Sequence, residues 1–249
     1  MNEIAPASLA ARLRRLTPAR VGLGRTGVSQ QTRDLLDFQQ AHAQARDAVH
    51  ARLDAATIAA TLSEITGPVL RLHSAAADRA TYLQRPDLGR RLDEASRATL
   101  ASLRLERWDL ALIIADGLSA LAVERHVSPL LLELLPRFGD WRLAPICVVE
   151  QGRVAIGDEI GAALQTQLCV VLIGERPGLS SPDSLGAYIT WQPRPGRTDA
   201  ERNCVSNIRA EGLSYQQAAA QLGFYLTEAR RRQLTGTGLK EHSNLIEEG

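Results

Sequence analysis

Apolar and polar positions alternate along this chain in two textures. After Ser29, a candidate N-cap, Leu35, Phe38, His42, Ala45 and Val49 recur at steps of three and four, one face of an amphipathic helix. Residues 57–65 predict a further short helix, and "TGP" at 66–68 then punctuates the chain. Residues 1–66 therefore read as a helical arm, and residues 67–249 as a separate domain. From Val69 onward, short apolar runs take over. "VLRLH" (69–73) reads as a strand. "DLALIIAD" (109–116), "LAPICVVE" (143–150) and "LCVVLIGE" (168–175) are nearly continuous apolar runs with polar tips, the pattern of strands buried on both faces. "AYITW" (187–191) predicts a fourth strand of this kind.

Helical patterns separate these strands. Residues 86–103 read as a helix with Pro86 near its start, 119–139 as a helix interrupted near Pro129, and 157–165 as a short helix. Residues 214–234 predict a long helix with Ser214 as N-cap, Arg230, Arg231 and Arg232 in its last turns and Gly236 just beyond. Strands buried on both faces and alternating with helices call for an α/β fold, a parallel sheet covered on both sides. No internal repeat and no low-complexity tract interrupts it.

Composition narrows the class. Apolar residues make up 45% of 249 and charged residues 23%, an ordinary globular balance able to build a sizeable core. The net charge of +1 argues against a chain whose task is neutralising a phosphate backbone, and 4% aromatics are too sparse for a base-stacking platform. No nucleic-acid partner is expected. Cys147, Cys169 and Cys204 are odd in number and widely spaced, indicating neither a disulfide framework nor a zinc knuckle. The first twenty residues lack the apolar stretch of a signal peptide, and no run approaches the roughly 20 residues that span a bilayer. A reduced, cytosolic protein without membrane association is the expectation.

Gly22, Gly24 and Gly27 in "VGLGRTGVS" match the G-x-G-x-x-G spacing of a dinucleotide cradle. Such a cradle must follow a buried strand, whereas "LRRLTPAR" precedes it here, and Asp47, at the distance of a ribose-binding acid, falls inside the amphipathic helix. A glycine-rich turn is the better reading. In an open α/β sheet, ligands gather outside the carboxyl ends of the strands, which singles out Asp116-Gly117, Glu150-Gln151 and Glu175-Arg176. In "GERPGL" the carboxylate and guanidinium could face a ligand or pair with each other to fix the loop. Cys204, in the polar loop "ERNCVSNI", has no neighbouring base and reads as a small apolar group beside a ligand rather than as a nucleophile. No histidine pair has metal-ligand spacing and no nucleophile elbow occurs. With no catalytic set and no metal site of its own, the chain looks like a cofactor-carrying or partner-supporting subunit. A stand-alone nucleotide-binding oxidoreductase would need a three-glycine turn after a buried strand; a non-enzymatic adaptor would need no ligand at the strand tips.

Taken in order, "RVGLGRTGVSQQTRDLLDFQQAHAQARDAVH", "YLQRPDLGRRLDE", "IADGLSA", "GRVAIGDEIG", "LIGERPGL", "ERNCVSNI" and "EGLSYQQAAAQL…RRRQLTG" resemble the small subunit of ethanolamine ammonia-lyase, from Arg20 to about Gly238. The resemblance implies an adenosylcobalamin-dependent lyase that converts ethanolamine to acetaldehyde and ammonia. It implies a large TIM-barrel subunit that binds ethanolamine, and a Rossmann-like small subunit that closes over the cobalamin. The implied assembly is a trimer of large–small pairs, further dimerised. Cofactor contacts carried over from the family are Val154, Glu175 and Cys204. The absence of D-x-H-x-x-G agrees with base-on cobalamin, in which the cofactor's own dimethylbenzimidazole is the lower ligand. About twenty residues precede "RVGLGR", fewer than in relatives associated with bacterial microcompartments, so a plain cytoplasmic enzyme is at least as much the expectation as an encapsulated one.

Overall fold

A computed structural model describes residues 9–17, 19–103 and 106–240. In chain order, α1 (Leu9–Leu16) leads to a hairpin of β1 (Arg25–Thr26) and β2 (Ser29–Gln30), then α2 (Thr32–His50) and α3 (Ala55–Thr66). There follow β3 (Val69–His73), α4 (Arg79–Gln84), α5 (Glu94–Ala101), β4 (Trp108–Ala115), α6 (Ala120–Leu134), β5 (Ile146–Glu150), α7 (Ile156–Ala163) and β6 (Thr166–Gly174). The chain closes with β7 (Leu185–Trp191), β8 (Arg202–Ile208), α8 (Tyr215–Arg232) and α9 (Thr237–Lys240).

Six strands form one sheet in the order β3-β5-β4-β6-β7-β8. The first four are mutually parallel, while β7 runs antiparallel to β6 and β8 antiparallel to β7. The fold is α/β with a mostly parallel sheet, which corrects the expectation of a parallel one throughout. Residues 175–184 and 192–201 are too few for a crossover, which takes a dozen or more residues, so those strands must return antiparallel. Side chains along β4 divide between two cores. Leu110, Leu112 and Ile114 join α3, α6 and α8 on one face; Ala111, Ile113 and Ala115 join α5 and α7 on the other. Burial on both faces is why these strands lack polar alternation.

Several local expectations are corrected. Ser29 does not cap α2: it pairs with Thr26 in the hairpin, and Gln31 holds the N-cap position without a side-chain bond. Gly27 makes that hairpin possible with φ +63°, so the glycine-rich stretch is a turn. Leu35, Phe38 and His42 are exposed; α2 buries Ala41 and Ala48 instead, small residues that let it approach α6. The helix expected over 86–103 starts only at Glu94, where the Asp93 carboxylate accepts from the Ser96 amide at 2.7 Å. Pro129 does not interrupt α6, because buried Val127, Leu130 and Leu131 hold the helix on both sides of it. The αL residue closing α8 is Gln233 (φ +58°), not Gly236.

"ERNCVSNI" was expected as a loop, yet it supplies β8. Its polar residues are satisfied in place: the buried Asn203 side chain donates to the Gly236 carbonyl at 3.1 Å and accepts from the Gly236 amide at 2.8 Å. Val205 faces the core. α3, expected within the arm, lays Ile58, Ala59 and Leu62 against the sheet.

Candidate functional site

The parallel strands bring all their carboxyl ends to one edge, and the antiparallel return puts the start of β7 and the end of β8 there too. At this edge an open cleft of about 420 Å³ lies between the loops after β4, β5 and β6. Tyr82, Gly117, Leu118, Val154, Ile173 and Tyr188 give it apolar and aromatic walls, and Arg153, Glu175 and Arg176 bring charge.

Two of the three residues singled out from the sequence, Val154 and Glu175, line this cleft directly. The third, Cys204, lies on β8 opposite Tyr188 of β7, and its thiol contacts the Tyr188 hydroxyl. Burial pushes the Tyr188 phenol above its ordinary range, and the neighbouring Cys204 adds to that. The other two thiols lie inside the sheet, where burial raises both to about 12, so neither is a nucleophile.

Glu175 does not pair with Arg176. Its carboxylate accepts from the Ser184 hydroxyl and from the Asn207 amide at 3.2 Å, while its own amide donates to the Ser184 carbonyl at 2.9 Å. Asn207 takes φ +59°, a conformation tolerated best by Asn among residues with a side chain, and this turns its N–H toward the carboxylate. Beneath the carboxylate lies Gly186: a Cβ there would sit 2.9 Å from Glu175 Oε1. Glu175 is thus clamped over the first residues of β7 at the cleft rim.

Under the cleft floor lies a buried ionic cluster. Asp116 is fully buried at the tip of β4, and Arg79, 4% exposed, reaches it from α4 with Nη1 3.3 Å from Oδ2. The same nitrogen donates to the Gly117 carbonyl at 2.8 Å and to Gln151 Oε1 at 3.3 Å, and Arg79 Nε donates to the Val49 carbonyl at 2.7 Å. Burial raises the Asp116 carboxyl to about 6, opposed by Arg79 and by the amides of Gln151, Gly152 and Gly117. Tyr82, fully buried, carries two guanidiniums over its ring, Arg79 at 4.9 Å and Arg153 at 4.2 Å from its centre, and its hydroxyl donates to the Gly152 carbonyl at 3.1 Å.

Of the strand tips marked from sequence, Glu175 lines the cleft and Asp116-Gly117 supports it. Gln151 meets Arg79, whereas Glu150 contributes its carbonyl to the Ser74 amide at 3.0 Å. Tyr82, Arg153, Tyr188, Ser184 and Asn207 were missed. Tyr188 was recoverable from period two, since Ala187, Ile189 and Trp191 face one core and Tyr188 the other. Among the described residues no three His, Cys, Asp or Glu side chains group so as to hold a metal ion. The cleft presents acceptor and donor groups at the rim of an apolar wall, an arrangement suited to recognition.

A family model described as "Ethanolamine ammonia-lyase light chain (EutC)" matches residues 7–240. The chain belongs to the ethanolamine ammonia-lyase light chain family. It is 59% identical over 238 residues to the "Ethanolamine ammonia-lyase small subunit" of Pseudomonas aeruginosa, covering 94% of this chain and 87% of that relative. The protein of the same name from Pseudomonas syringae pv. tomato is 55% identical over 254 residues, covering 98% and 88%. That of Xanthomonas campestris pv. campestris is 56% identical over 239 residues, covering 94% and 88%. Among light chain residues described here, no helix is long and apolar enough to cross a membrane.

Proposed function

We propose that this chain is the small subunit of an adenosylcobalamin-dependent ethanolamine ammonia-lyase, and that its cleft borders the cobalamin where the subunit meets a large partner. The observation that carries this reading is the convergence of Val154, Glu175 and Cys204. They come from three separate segments: Val154 and Glu175 line one cleft at the carboxyl edge of the sheet, and Cys204 stands behind it, paired with the cleft residue Tyr188.

The cleft suits an edge of a corrin. Val154, Leu118 and Ile173 offer apolar surface, and the ring's primary amide arms need both an acceptor, which Glu175 is, and donors, which Arg153 and Arg176 are. At about 420 Å³ and open to solvent, the cleft takes an edge and leaves the rest of the ring for another chain to cover. Bound cobalamin would supply the radical by cobalt–carbon homolysis; this chain holds and orients the ring and keeps water from its covered edge.

In this reading the partner is a TIM-barrel large subunit that binds ethanolamine, the pairs form a trimer that dimerises, and the enzyme is cytoplasmic. In this reading residues 67–249, joined by α3 on the sheet, form a Rossmann-like cobalamin-contacting domain, and the N-terminal arm reduces to the elements before α3. Of that arm, α1 and α2 turn Leu9, Leu16, Leu36 and Phe38 outward, apolar surface for the large subunit to cover.

Ammonia release from ethanolamine with added adenosylcobalamin tests the reading, using this chain with a large subunit and each chain alone. Activity only in the pair is expected. A large subunit fully active by itself would overturn the small-subunit role, and an unchanged cobalamin affinity in a Glu175→Ala complex would overturn the cleft assignment.

A further inference from the structure

We infer that Arg79 is a positioning residue for this cleft, a side chain that fixes the loops after β4 and β5 to each other and to the end of α2. The inference rests on the cleft being the cobalamin-binding surface.

Arg79 donates to Asp116 and Gly117 beyond β4, to Gln151 beyond β5 and to Val49 in the last turn of α2. Asp116 completes the frame by accepting from the Gly152 amide at 3.0 Å. Gly117 and the residues just after Gly152 then form two walls of the cleft, with Val154 on the second. The Arg79 guanidinium also stacks on the Tyr82 ring, as does that of Arg153; Arg153 Nη2 in turn donates to the Tyr82 carbonyl at 3.3 Å. Placement of Arg153 at the rim therefore traces back to Arg79.

Stability alone is a poor account of this residue. Its buried Nη2 has no hydrogen-bond partner, so folding bears the cost of a desolvated donor, and a buried ion pair is itself weak stabilisation. What Arg79 provides that an apolar residue could not is geometry, four acceptors from three segments on one planar fork. Its bond to Val49 also joins the cleft to the helix whose outer face is apolar, so a partner seated on α2 would bear on the same frame.

The test uses the complex with the large subunit, titrated with cyanocobalamin, alongside kcat and the KM for adenosylcobalamin and the melting temperature. The variants are Arg79→Lys, Arg79→Met, Gln151→Asn and Glu175→Ala. Lysine keeps a charge opposite Asp116 but cannot span the four acceptors. Arg79→Lys is therefore expected to melt near the parent yet to bind cyanocobalamin about tenfold more weakly, the size of one lost charge-assisted bond. The KM should rise in step and kcat at saturating cofactor should stay within about twofold, whereas simple loss of folded enzyme lowers kcat and leaves KM alone. If Arg79→Met does not assemble, Arg79→Lys and Gln151→Asn decide. Unchanged affinity in both while Glu175→Ala binds weakly overturns the role of Arg79 and spares the cleft. Unchanged affinity in Glu175→Ala overturns both.

Discussion

Replacing Gly186 with alanine moves the Glu175 carboxylate while leaving every cleft side chain in the protein. The three atoms nearest a Cβ at 186 all belong to Glu175: Oε1 at 2.9 Å, Cγ at 3.1 Å and Cδ at 3.3 Å. Ordinary carbon contacts lie at about 3.5–4.0 Å, so the carboxylate must retreat by roughly 0.5 Å. The Asn207 amide is already 3.2 Å from Oε2, near the limit of a hydrogen bond, so this bond is the one the retreat strains most. A bond to a charged group contributes about 1.5–3 kcal/mol, and Glu175 is half-exposed, so the low end applies. Against this, alanine in a strand gains about 0.5–1 kcal/mol over glycine. The net loss of stability is then about 1 kcal/mol or less, and the complex should melt close to the parent. On the reading proposed above cobalamin binding is different, because the acceptor offered to the corrin's amide arms is displaced. A loss of about tenfold in affinity is expected, one charge-assisted bond in size. Equilibrium titration of the assembled complex with cyanocobalamin reads it directly. Parent-like affinity in Gly186→Ala, with a clear loss in Glu175→Ala, would refute the argument that the clamp sets the position of the carboxylate.

At the opposite edge of the sheet, Arg202 binds both oxygens of Asp158 at 2.7 and 2.6 Å, with both side chains buried. Arg202→Met strands a buried carboxylate and should cost about 3–5 kcal/mol in chemical unfolding, part of it restored by adding Asp158→Asn; equal stability of single and double variants would contradict this. Leu62, with no exposed surface, packs α3 to the sheet, so Leu62→Ala should cost about 2–5 kcal/mol, and a loss under 1 would show that α3 is not part of the core. Gly174→Ala puts a Cβ 2.0 Å from the Ser119 carbonyl oxygen, fixed backbone that cannot yield, and should give no soluble complex on expression. Backbone and side-chain bonds from Thr198 and the Arg197 guanidinium depress the Glu201 carboxyl to about 2. A depressed acid stabilises the fold above its unfolded value, near 4.5, and loses that contribution as pH falls toward 2. Melting temperature should thus drop over that window with a shallower slope in Glu201→Gln, and parallel slopes would remove Glu201 from the acid transition.

The parallel half of the fold was legible because burial on both faces writes an unmistakable pattern in its central strands: β4 is displaced by only one residue from its apolar run, and the half-exposed edge strand β3 starts and ends where its run does. β8 was not legible. Its polar residues look like a loop until Gly236, some thirty positions on, is seen to satisfy Asn203, and no local window contains both. The stripe on α2 misled for a related reason. Leu35, Phe38 and His42 mark an apolar face, but sequence does not say whether that face meets this chain or another, and here it is turned outward.

The candidate site divides the same way. Val154, Glu175 and Cys204 came from a resemblance in order and phrase. The strand-tip rule found Glu175 and the Asp116 and Gln151 supports independently, because it depends only on strand direction. What neither supplied is how the carboxylate is held: Ser184 and Asn207 reach Glu175 only because β7 and β8 return antiparallel, against the expectation of a parallel sheet. The departure from a parallel fold is therefore what builds the rim. A crossover helix after β6 would have carried the chain away over one face, whereas the short return folds Ser184 back over Glu175 and brings the left-handed turn at Asn207 beside it.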